Sequence, residues 1–65
     1  MNSAPNIPDP DGFYEALVNA HEALSENDSA ALNARLVLLL ANQIGDQNVL
    51  LECVAAAREN LLRNP

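Results

Sequence analysis

His21, Glu22 and Cys53 are the residues of this 65-residue chain whose types could carry acid–base or nucleophilic chemistry. A zinc-protease helix needs a second histidine four positions after the first, with the intervening Glu as base. Position 25 is Ser25, so that motif is incomplete. His21 falls instead at the edge of an apolar helical stripe containing Phe13 and Leu17, close to Tyr14 in projection, where a boundary histidine is the ordinary role. Cys53 lies within another apolar stripe and behaves as a small hydrophobe. Nothing near it in sequence would activate a thiolate. Asp9-Pro10-Asp11-Gly12 opens like a calcium loop, but lacks the third ligand before Gly and the later Glu that calcium requires. Asn27-Asp28-Ser29 has the spacing of a glycosylation site, which is idle without export. No catalytic, cofactor or metal motif is present. The rival reading is a small ligand-binding protein or enzyme with a pocket near His21, Tyr14 and Cys53.

These residues must be positioned by helices. Residues 30–44 contain Leu32, Leu36, Val37, Leu38, Leu39, Leu40 and Ile44, the densest apolar run in the chain. At 100° per residue, only the strip Asp28, Arg35 and Asn42 is reliably polar. A helix apolar over most of its circumference is normally enclosed by others. Asp9-Pro10-Asp11 is a helix start: a cap, a proline in the first turn, and an acid near the positive dipole end. Phe13, Leu17, Ala20 and Leu24 then recur at helical spacing. Ser25 to Asp28 has the spacing of a capping box. Gly45 supplies a left-handed stop and Asp46 the next cap. The third helix carries Leu50, Cys53, Val54, Ala57 and Leu61 on one stripe, with Leu51, Ala55 and Leu62 on its flank. The pattern predicts an all-α domain over 9–65, with three antiparallel helices at about 10–24, 26–44 and 47–63. The side of Leu36, Val37, Leu40 and Ile44 is its expected core. Residues 1–8, with two prolines and two asparagines, read as a short extended arm.

Composition limits the partners. Nine acidic residues against three arginines and no lysine give a net charge of −6. All six acids before Ser29 are unopposed, which predicts an acidic face suited to a protein partner with a basic surface. Nucleic acid is a poor partner for such a chain. No run approaches the roughly 20 apolar residues of a membrane span. With no export signal and a lone cysteine, the expected location is the cytoplasm.

A core of this size rarely supplies more than about 3–5 kcal/mol. With no disulfide or zinc site to help, association is the remaining route. The leucines exceed what a three-helix monomer can cover: Leu32 and Leu39 flank one side of the second helix, and Leu38 the other. Leu51 and Leu62 repeat the excess on the third helix. Asn33 projects among apolar residues, where an unsatisfied amide costs about 1–3 kcal/mol. Either its side chain reaches an exposed edge, or it forms a hydrogen bond across a helix interface and fixes register. The expected interface is therefore Leu32, Asn33, Leu38, Leu39, Leu51 and Leu62, in a homodimer, with a tightly bound foreign partner over the same surface as the alternative.

Two strings carry a family resemblance: Pro5-Asn-Ile-Pro-Asp-Pro-Asp-Gly-Phe-Tyr14 and Leu32-Asn-Ala-Arg-Leu-Val-Leu-Leu-Leu-Ala-Asn-Gln-Ile-Gly-Asp46. Over about residues 5–57 the chain resembles a family of short bacterial proteins of unknown function. Members of that family are often encoded beside flavin monooxygenases of aromatic-ring degradation. The resemblance implies an accessory role, such as a subunit of an aromatic-catabolism enzyme, and brings no functional residues with it.

Overall fold

Asp9 begins the first helix by accepting the Gly12 N–H at 3.0 Å. Pro10 follows at the first helical position, where its missing N–H is no loss. A Cβ at Gly12 would stand 2.8 Å from the Asp9 carboxyl carbon, so a larger residue there would require the capping side chain to turn. The computed structural model describes residues 6–64. It contains helices α1 (Pro10–Ala20), α2 (Glu26–Ile44) and α3 (Gln47–Arg63), with no strand among the described residues. Ser25 caps α2 by accepting the Asp28 N–H at 3.1 Å. Asp46 caps α3 in the same way, through the Val49 N–H at 3.1 Å. Gly45 ends α2 at φ 68°, its N–H donating to the Ala41 carbonyl. At the other end of α3, Arg63 pairs with Glu59 one turn back.

The all-α class and the bounds of α2 and α3 agree with the sequence reading, but α1 is shorter. It stops at Ala20 instead of continuing to Leu24. The chain tightens there: the His21 and Glu22 N–H groups donate to the Val18 and Asn19 carbonyls, three residues back. Ala23 then takes a left-handed φ of 64°. This reversal closes the helix even though Leu24 continues the apolar spacing. Of the arm expected over 1–8, residues 1–5 lie outside the described residues; Asn6–Pro8 are exposed and not helical.

Packing departs further from expectation. No two helices share an extended interface, so the side-by-side antiparallel arrangement is not seen among the described residues. None of these residues is buried. The expected core of α2 is corrected accordingly: Leu36 is half-buried, but Val37, Leu40 and Ile44 are exposed. The reason is geometric, because α1 meets α2 on the Leu32–Leu36 side and no second layer covers the other. The accessible surface is 5803 Å², against about 4,000 Å² for a compact chain of this mass. The radius of gyration is 13.3 Å, against about 11 Å for a close-packed domain of this length. The exposed segment Asn6–Asp9 contributes to both differences.

Candidate interaction surface

Two apolar features stand out on this open frame. The first is a cleft of about 710 Å³ between α1 and α2. Its α1 wall is the stripe of Phe13, Leu17 and Ala20, extended by Leu24 beyond the helix end. Its α2 wall is Leu32, Leu36 and Leu39, with Asp28 and Arg35 beside them. Both walls follow from helical spacing, which returns residues three, four and seven apart to one side. The second feature is α3. There Val49, Leu50 and Cys53 are half-buried, whereas Leu51, Val54, Leu61 and Leu62 are exposed.

One polar contact joins the end of α1 to α2. His21, at the C-terminal cap of α1, lies with Nε2 3.1 Å from Asn33 Oδ1 on α2. The amide oxygen accepts, so the imidazole Nε2 carries the proton in this contact. His21 is half-buried and Asn33 exposed. Asn33 therefore satisfies its oxygen within the chain, across the junction of α1 and α2. Its position among apolar residues suggested such a bond, but sequence could not name His21 as the partner.

The expected interface residues divide between these features. Leu39 (66% exposed) and half-buried Leu32 line the cleft. Leu38, 71% exposed, points away from it on α2. Leu51 and Leu62 belong to the exposed side of α3. Of the six, Leu32 and Leu39 are the two that line the cleft.

His21, Tyr14 and Cys53 do not converge on the cleft, and none of them lines it. Tyr14 is exposed, while Cys53 is half-buried on α3. Among the described residues, no group of three or more His, Cys, Asp or Glu is placed to hold a metal ion. No helix among them is long and apolar enough to cross a membrane.

Asp28 and Arg35, read from sequence as part of a polar strip, are exposed and also border the cleft. Their place beside it follows from spacing: Asp28 and Arg35 are seven apart, as are Leu32 and Leu39, and both pairs share a helical side.

No curated protein and no solved structure matches the chain. A family model described as "Protein of unknown function (DUF2783)" matches residues 1–59. The chain belongs to that family.

Proposed function

We propose that this protein acts by binding, without catalysis, and that it self-associates through α2 and α3 as a homodimer. The observation that carries this reading is the missing core: a helical chain with 5803 Å² of accessible surface and no buried described residue. Burying each exposed leucine is worth about 1.5–3 kcal/mol. That is a large quantity beside the few kcal/mol available to a domain this small. A second copy offers the same apolar surfaces at matched stoichiometry, and twofold pairing is the commonest assembly. Leu38, Leu39, Leu51 and Leu62 are the exposed leucines expected to be covered.

The acidic α1 supports a second level of binding, in which the assembled protein meets a basic protein partner. Asp9, Asp11, Glu15 and Glu22 cluster in that part of the chain without a basic residue among them. An accessory role beside a larger enzyme, as the family resemblance implies, belongs to this level.

Light scattering on the purified chain tests self-association. The expected mass is twice that of one chain, falling toward one chain in Leu39→Glu and Leu51→Glu. A folded monomer, indifferent to both substitutions, would remove the reading.

A further inference from the structure

We infer that the α1–α2 cleft of each chain is filled by helix α3 of a second copy, reciprocally, so that two chains share one core. This rests on the self-association proposed above and adds which surfaces meet.

Area is the first argument. The chain exposes about 1,800 Å² more than a compact monomer of its mass, part of it from the segment before α1. A pair in which each chain buried about half of that excess would have an interface of roughly 1,800 Å², the size of a stable complex. Such an interface needs whole helix faces on both chains, and the cleft and α3 are the apolar faces on offer.

Shape is the second. The α2 wall runs from Asp28 to Leu39, and the exposed side of α3 from Leu51 to Leu62. Each spans about 16 Å at the helical rise. Within its own chain α3 is covered at Val49, Leu50 and Cys53. Leu51 and Leu62 lie about 160–180° around the helix from Cys53. Only this first part of α3 is covered, and from Val54 onward the helix is exposed all round, so its leucine side is open to a neighbour.

Charge is the third. Arg58 lies on the leucine side of α3, whereas Arg63 is already paired with Glu59. α1 and its cap carry Asp9, Asp11 and Glu15, with Glu22 just beyond. Seating the leucine side of α3 against α1 of the other chain sets Arg58 beside acidic residues. Pairing α1 with α1 would set like charges together, which opposes association.

Isotope-filtered NMR on a mixture of labelled and unlabelled wild-type protein tests the arrangement. Phe13 is the single phenylalanine, so its ring signals are unambiguous. Intermolecular contacts from the Phe13 ring to methyl groups of Leu51, Val54 or Leu62 are expected. A cleft-filling variant, Ala16→Trp, is expected to weaken dimerisation at least about 10-fold by overpacking the seat of α3. Contacts confined to α3–α3 or α2–α2 pairs would overturn the exchange while leaving self-association in place. An unchanged dissociation constant in folded Ala16→Trp would do the same. A folded wild-type monomer without intermolecular contacts would overturn both.

Discussion

His21 on the C-terminal cap of α1 and Asn33 on α2 are joined by a hydrogen bond of 3.1 Å between Nε2 and Oδ1. It is a side-chain link between two helices that otherwise share little surface. A neutral hydrogen bond contributes about 0.5–1.5 kcal/mol, and the exposure of Asn33 argues for the lower end. His21→Ala and Asn33→Ala should each destabilise by about that amount. Combined, they should cost less than their sum, because one bond is lost only once. Chemical denaturation of the four proteins gives the coupling directly. Strict additivity would show that the two side chains act independently.

Ala23 holds φ at 64° in the α1–α2 turn. A left-handed alanine costs about 1 kcal/mol that glycine would not incur. Ala23→Gly should therefore leave stability unchanged or raise it by up to about 1 kcal/mol, despite glycine's greater freedom in the unfolded chain. The contrasting site is Gly45, at φ 68°. Gly45→Ala should lower stability by about 1 kcal/mol. Thermal melts of the two variants should move in opposite directions or differ clearly in size.

Leu36 is half-buried against the α1 side of α2, and a second copy's helix in the cleft would enclose it. Leu36→Ala should cost about 2–5 kcal/mol in the assembled protein. Circular dichroism against denaturant checks this. A loss below about 1 kcal/mol would place Leu36 outside the shared core.

How much of this was legible depends on how local the determinant is. Asp9, Ser25 and Asp46 were readable as caps because each acts on an N–H three residues away. Gly45 was readable because φ near 68° excludes most other residues. The end of α1 was not readable, since Ala23 has no sequence preference for the conformation it takes. The covered side of α2 was misjudged for a different reason. Leucines occupy both of its flanks, so hydrophobicity could not say which side meets α1. That choice is made by the turn geometry around His21–Ala23 and by the Asn33 contact. Arg35 is exposed, in keeping with the polar strip read from sequence, and also borders the cleft.

The acidic residues of α1 should matter kinetically more than structurally. Glu15→Gln together with Glu22→Gln should slow association with basic surfaces, including the Arg58 side of a second copy. The effect should shrink as salt rises, because screening shortens the reach of exposed charges to about 8–10 Å at physiological strength. Stopped-flow mixing at low and high salt reads the difference. Rates indifferent to both charge and salt would exclude an electrostatic contribution.

Folding coupled to association makes the thermal midpoint depend on protein concentration. For a chain that completes its core only with a second copy, a 100-fold rise in concentration adds about 2.7 kcal/mol per dimer. Calorimetric melts from low to high micromolar concentration should therefore shift upward by several degrees, with sedimentation showing a dimer throughout the folded range. A midpoint independent of concentration, in a protein that sediments as one folded chain, would contradict a core shared between copies.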